Sequence, residues 1–308
     1  MLAIFLKTVP FFALIGLGYG AARIRFFPEA ATAALTKFVF YFALSAMLFR
    51  FSASLSISAI FDARLAAAYL AGTLAVYLVA TGVAFLRRQD LQTAAIEAQT
   101  ASIGNTGFLG LPMLALLLGE AAVAPIILML SIDLIVFASL LVILVTVARE
   151  GRMSLGIFAT IGAGLVKNPM IVSIVAGLAV SSSGQSLPTV VDEFVTLLGN
   201  AATPCALFAI GASLASKSAE RLAVSGWLSF AKLVLHPLFV AGGVYLLFPV
   251  PPFQAAVAVA TAALPVAGNV YMLAQHYGIA PQRVSAAILI STAFSILTVS
   301  TVIALVNP

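Results

Sequence analysis

Two long apolar stretches of this chain are interrupted by polar strings rich in glycine and proline, GNTGFLGLPM at 104–113 and LPVAGNVYML at 264–273. In hydrocarbon every backbone N–H and C=O needs a partner, so unwound backbone persists at membrane depth only where protein or a hydrated cavity surrounds it. A pair of such interruptions in corresponding halves of a membrane chain points to a solute site. Such breaks carry this meaning only in a membrane fold, which the composition indicates. Hydrophobic residues make up 63% of the 308 and charged residues 8%, with a mean hydropathy of +1.17. A soluble domain carries roughly 25% charge. The polar connectors run a few residues each, which leaves no room for a soluble domain.

Other classes are disfavoured by what the chain lacks. The net charge of +5 comes from basic residues standing singly or in pairs at segment ends, which does not suit nucleic acid. Cys205 is a lone cysteine in an apolar run, so neither an intramolecular disulfide nor a cysteine metal site is expected. No zinc-binding His-Glu-x-x-His pair, nucleophile elbow or Walker-type phosphate loop occurs, so no enzyme, metal or cofactor is predicted. The apolar segment at 1–22 has Arg23 and Arg25 after it rather than a basic stretch before it, and reads as a first membrane helix rather than a signal peptide.

An all-α, polytopic membrane fold of ten spans is predicted. They lie at roughly 2–22, 30–50, 62–86, 93–118, 121–147, 157–182, 190–215, 222–248, 253–277 and 280–305, each near the ~20 residues that cross a bilayer core. The connectors after the odd-numbered spans hold Arg23, Arg25, Arg87, Arg88, Arg149, Arg152, Lys217, Arg221 and Arg283. The opposite set holds Arg50 and Arg64, with Lys7 near the N-terminal end. The positive-inside rule then puts both termini outside the cytoplasm. The expected location is the plasma (inner) membrane.

The chain also resembles itself. A shift of 159 residues pairs Pro10 with Pro169, Ala43 with Ala202, Phe49 with Phe208 and Gly119 with Gly278, and sets Ala53-Ser54-Leu55 on Ala212-Ser213-Leu214. The Gly107–Pro112 region falls near Ala267–Tyr271. Five spans per copy is an odd number, so the copies, 1–150 and 151–308, would be inverted relative to each other within one transmembrane domain.

The string around Asn105 and the string LPVAGNVYMLAQHYG at 264–278 resemble the auxin efflux carrier family, as do NPMIVSIVAGLAV at 168–180 and TPCALFAIGASL at 203–214. That family includes bacterial malonate-type carriers and plant PIN-type carriers, and the similarity covers essentially the whole chain. The resemblance implies two inverted five-helix repeats, a fourth and a ninth span that cross where they unwind, and proton- or potential-driven movement of organic anions. Members often carry proline in the second span where this chain has Ser45, while the repeat partner Pro204 is kept. A straighter second span is expected.

Candidate residues follow from the chemistry of a buried anion site. Asn105 and Thr106 lie between Gly104 and Gly107, where glycine permits non-helical backbone. Pro112 removes a helical hydrogen bond. The half-helix after the break offers free N–H groups and a positive dipole end, a seat for a carboxylate. Pro265, Gly268 and Asn269 supply the related elements in the ninth span. The competing reading is a packing kink, with Asn105 capping a half-helix. Asp133, inside the fifth span, is costly there and is the leading candidate for proton or ion coupling. Its repeat partner, Thr292, carries no charge. Lys232 and His236 share one face of the eighth span; Lys232 could balance an anion or pair with Asp133, and His236 could relay protons. Packing roles compete for all three.

Glu97 is expected in a solvated vestibule on the cytoplasmic side. Lys37 and Lys167 are expected to snorkel, and His276 to be a surface group at the outer end of the ninth span. Gly16, Gly18 and Gly20 suggest a small-residue contact face on the first span. The leading functional expectation is a secondary carrier for a small organic anion such as a carboxylate. The alternatives are a sodium symporter of the bile-acid carrier architecture, which the lack of an acidic residue in the second break disfavours, and a channel or sensor. Monomer and homodimer are both compatible with the sequence.

Overall fold

The computed structural model describes residues 2–56, 60–151, 156–216 and 222–306. Arg152, Lys217 and Arg221, counted above among the basic connector residues, lie outside them. The described chain is helical throughout, with one isolated antiparallel bridge between Gly104 and Val266. Its segments are α1 (Leu2–Arg23), α2 (Glu29–Ser54), α3 (Ala63–Leu86), α4 (Leu91–Ser102), α5 (Thr106–Leu118), α6 (Glu120–Glu150), α7 (Gly156–Lys167), α8 (Pro169–Ser182), α9 (Thr189–Leu214), α10 (Leu222–Leu247), α11 (Pro252–Ala262), α12 (Gly268–Tyr277) and α13 (Pro281–Val306). Among the described residues, seven helices are long and apolar enough to cross a membrane: α1, counted from Phe5, with α2, α3, α6, α9, α10 and α13.

The interrupted spans have the anticipated character, with sharper limits. The segment expected as the fourth span breaks into α4 and α5 at Ile103, Gly104 and Asn105, and that expected as the ninth breaks into α11 and α12 across 263–267. The sixth expected span is not one rod. Asn168 accepts the Met170 N–H (3.0 Å) and Pro169 opens a new helix, so α7 and α8 meet at a 69° bend. An Asn cap followed by proline at the first helical position is a start signal, and it restarts the helix here.

Side-chain caps set other helix starts. Asp62 accepts the Arg64 and Leu65 N–H groups at the head of α3 (2.9 and 3.0 Å), and Asp90 accepts the Thr93 N–H at the head of α4 (2.7 Å). Several helices contain a widened π turn, at Val39–Ala43, Thr106–Gly110, Asp133–Phe137, Ala231–Leu235 and Gly243–Leu247. The first of these lies within the second span, which runs as one helix from Glu29 to Ser54. Ser45, where proline was the alternative, sends its hydroxyl back to the Phe40 carbonyl (2.9 Å) beside the widened turn.

Packing falls into two groups. In one, α1 lies along the C-terminal part of α9, and α8 along the C-terminal part of α2. In the other, α3, α4, α6, α10, α11 and α13 pack together. The glycine face on α1 needs correcting. Gly16 and Gly20 face open space, whereas Gly18 lies directly against the Phe208 backbone, and across the same seam Gly211 lies against that of Ile15. Residues two apart on a helix point to different sides, so the three glycines never formed one stripe.

A side chain at position 18 would have to push two backbones apart. Gly18→Leu should therefore lower stability by about 1–3 kcal/mol, the usual range for overpacking, whereas Gly20→Leu should leave it nearly unchanged. Thermal unfolding of the detergent-solubilised variants checks the contrast.

Candidate functional site

The two unwound segments meet. Asn105 N–H donates to the Pro265 carbonyl (2.8 Å) and Ala267 N–H donates to the Ile103 carbonyl (3.1 Å), a two-bond ladder across the Gly104–Val266 bridge. Backbone groups released by the breaks thus satisfy one another, the condition for irregular chain at this depth. Ser291 on α13 accepts the Val266 N–H (3.1 Å). The Asn105 carbonyl takes two N–H groups, from Leu109 and Gly110 (3.1 and 2.9 Å), and so starts the widened first turn of α5. Glycine at 104 matters for a local reason: a Cβ there would sit 3.2 Å from Lys232 Nζ.

A cavity of about 900 Å³ runs between the two helix groups to this crossing. Asn105, Phe108, Val266, Gly268 and Asn269 line its inner part; Arg23, Arg25, Lys37 and Glu29 line its mouth. The positive N-terminal ends of α5 and α12 therefore face it, and three cations stand against one carboxylate at its mouth. Asn269 Oδ1 is buried and has no hydrogen-bond partner among the described residues. Ser285 and Thr292 of α13, with Tyr271 and Gln275 of α12, complete much of the polar lining.

The predicted site residues divide. Asn105, Gly268 and Asn269 reach the cavity. Thr106, Gly107 and Pro265 do not line it: Thr106 is 1% exposed, Gly107 abuts Met170, and the Pro265 carbonyl is spent on Asn105. Asp133, Lys232 and His236 also lie outside the lining, packed behind the crossing with at most 3% exposure. The pairing of Lys232 with Asp133 considered from sequence is not formed, because each has other partners. Tyr69 on α3 donates to both Asp133 oxygens (3.0 and 3.2 Å), with the Thr106 hydroxyl at 3.5 Å. Lys232 donates to His236 Nδ1 (2.9 Å) and to the Ala262 carbonyl at the end of α11 (2.5 Å), a cation at a negative helix terminus. A lysine ammonium offers only donors, so His236 accepts at Nδ1 and donates from Nε2 to Thr73 (3.0 Å).

Tyr69 and Thr73 were not anticipated. The signal was present: Tyr69, Thr73 and Tyr77 stand four apart on an apolar helix, a polar stripe that has to face protein. Glu97 departs from its expected place in a solvated vestibule. It is 1% exposed and ion-paired with Arg87 and with Arg283 (2.6 Å to the latter), tying α3, α4 and α13 together. A buried carboxylate of this kind is retained because two guanidiniums compensate it. His276 is exposed, as expected. Its neighbour Tyr277 offers its carbonyl to Arg149, so it lies at the arginine-bearing end. Lys37 is exposed at the cavity mouth and Lys167 is exposed at the bend before α8.

The Asp90 cap and the Glu97 clamp lie together at one end of the molecule. Solute-sized space reaches from that end to two half-helix termini. An all-helical membrane chain built this way is a membrane transport protein. Residues 3–303 match the family described as membrane transport protein, and the chain belongs to that family, the auxin efflux carriers that its motifs resemble. It is also 31% identical over 308 residues, spanning 97% of this chain and 95% of the relative, to a protein of Rhizobium meliloti (strain 1021) described as "Putative malonate transporter". Family and relative are transporters, not enzymes.

One titration at the arginine-bearing end is readable. Asp90 is held below the ordinary carboxylate range, first by the Thr93 N–H, then by the Thr93 hydroxyl, and further by the positive charge of Arg283. Its proton affinity is lower folded than unfolded, so its contribution is complete above the unfolded value and fades as pH falls through the folded one. Asp90→Ala should cost about 1 kcal/mol at neutral pH, a typical cap loss. Thermal melts at neutral and acid pH test this: the gap between wild type and variant should narrow as the acid range is entered.

Proposed function

We propose that this chain is a secondary carrier that moves a small organic dianion of malonate size across the plasma (inner) membrane by alternating access. The observation that carries the reading is the cavity ending on Asn105 and Asn269 where the two unwound segments cross. The amides of these side chains and the free N–H ends of α5 and α12 would hold the carboxylates, with no fixed charge in the seat itself. The substrate class follows the malonate named for the relative. The cations at the cavity mouth suit an anion.

In this reading the chain is ten spans in two inverted copies, 1–150 and 151–308, with both termini outside. A pair of contacts supports the repeat. Gly18 lies against the Phe208 backbone, and Gly177 against that of Phe49. Each contact becomes the other under the 159-residue shift. The widened turn at Val39–Ala43 likewise maps onto the irregular point at Ala201. One helix group, with α1, α2, α8 and α9, stays as the frame; the other rocks against it.

Asp133 is the proton carrier of this scheme, with Thr106 between it and the cavity-lining Asn105. Losing or gaining a proton there changes which groups donate and accept at the first break. Lys232 supplies the opposite formal charge on the other side of the crossing, and His236 and Thr73 extend that arm.

Proteoliposome uptake of malonate is the test. Uptake by the wild type should saturate, persist without sodium and collapse when the pH gradient is dissipated. Asn105→Ala should reduce it at least about tenfold, as expected for losing a hydrogen bond to a charged group, while the protein stays folded. Asp133→Asn should still be stabilised thermally by malonate but lose its response to the gradient. Wild-type rates in Asn105→Ala would remove that residue from the site.

A further inference from the structure

A second, smaller cavity of about 380 Å³ lies on the far side of the crossing, lined by the outer ends of α2 and α5 and the middle of α9. Six of its twelve lining residues fall on residues of the first cavity under the 159-residue shift. Met47, Arg50 and Phe51 stand where the first cavity has Ala206, Ala209 and Ile210. Pro112 and Leu116 correspond to Tyr271 and Gln275, and Thr196 corresponds to Lys37. Along α2, Lys37 in the first cavity and Arg50 in the second are thirteen residues apart, about 20 Å of helix. The two spaces are therefore equivalent places at opposite ends of the molecule, one wide and one narrow.

We propose that the second cavity is the carrier's other mouth, nearly shut in this conformation, and that Arg50 is the cation on which an organic dianion docks from that side. This rests on the alternating-access reading above. Three features single out Arg50. Its repeat partner is Ala209, so the fold does not require a long side chain at this position. Its Nε lies 3.9 Å from Asp192 Oδ1, with the two side chains 43% and 50% exposed. Such a pair is screened and contributes little. Among the described residues no hydrogen bond takes the remaining donors of the guanidinium fork, which suit a bidentate carboxylate. Asp192 thus holds the position that a substrate carboxylate would take, and is easily displaced from it. Glu120 lines the same cavity, so a dianion binds there only where Arg50 outweighs its repulsion.

Sided membrane vesicles test the proposal with malonate as probe. In a Cys205→Ser background, Thr196→Cys should react with a membrane-impermeant maleimide from the second cavity's side and Lys37→Cys from the first. Malonate should slow labelling of Thr196→Cys, and Arg50→Gln should abolish that protection while Arg50→Lys keeps part of it. Arg50→Gln should also raise the malonate KM about tenfold from the second side and leave the first side's KM unchanged; Asp192→Asn should lower the second side's KM. No labelling of Thr196→Cys from that side overturns the second mouth. Protection that is the same with and without the Arg50→Gln change, absence of protection in both cases, or a KM change equal on both sides overturns the docking role. Wild-type uptake in the same vesicles is read separately. A carrier that binds malonate at Arg50 without moving it would strike the transport reading and leave the docking site standing.

Discussion

The fold turns on four backbone groups: the N–H of Asn105 and the carbonyl of Pro265, and the N–H of Ala267 and the carbonyl of Ile103. Each half of the crossing would be untenable in lipid alone, because each leaves polar backbone unpaired where water is scarce. Together they close a short ladder and hold two half-helix N-termini toward one space. The remaining contacts elaborate this. Ser291 takes up the Val266 N–H that the ladder leaves over, and Lys232 takes up the Ala262 carbonyl where α11 stops. Part of the polar interior thus serves to make two broken helices acceptable.

That necessity accounts for the position of the ionisable residues. Asp133 and Lys232 are on opposite sides of the crossing, each bound to neutral or backbone partners rather than to the other. A direct buried pair would be stiff and costly to separate. Here each is held instead by hydroxyls, a ring nitrogen or a carbonyl. At the arginine-bearing end the opposite design holds: Glu97 is clamped between two guanidiniums and fastens α3, α4 and α13 into one body.

The sequence made the breaks legible because glycine and proline act locally, and their effect does not depend on what lies nearby. It also drew attention to Asn105 and Asn269 beside the breaks, both of which line the cavity, although a carboxamide at a helix break can equally be a cap, as Asn168 is. What it hid was which face each polar group would take. Thr106 and Pro265 sit in the break motifs yet point into packing, because the ladder that joins the breaks fixes the rotation of the chain. Glu97 looked solvated because it is near a helix start, but Arg283, nearly two hundred residues away, comes to cover it. The bend at Asn168–Pro169 was available as a cap-and-proline signal and was masked by unbroken apolar sequence on both sides.

Thr106, Asp133 and Lys232 share one further property: each lies in a widened helical turn. Such a turn carries one residue more than an ordinary one. Passing that surplus residue along the helix would swing the side chains it crosses by about 100° around the axis, the angular step of one residue, with both helix ends staying where they are. Such a shift would turn the interior groups at the three places where the polar centre meets the crossing, without displacing either helix end.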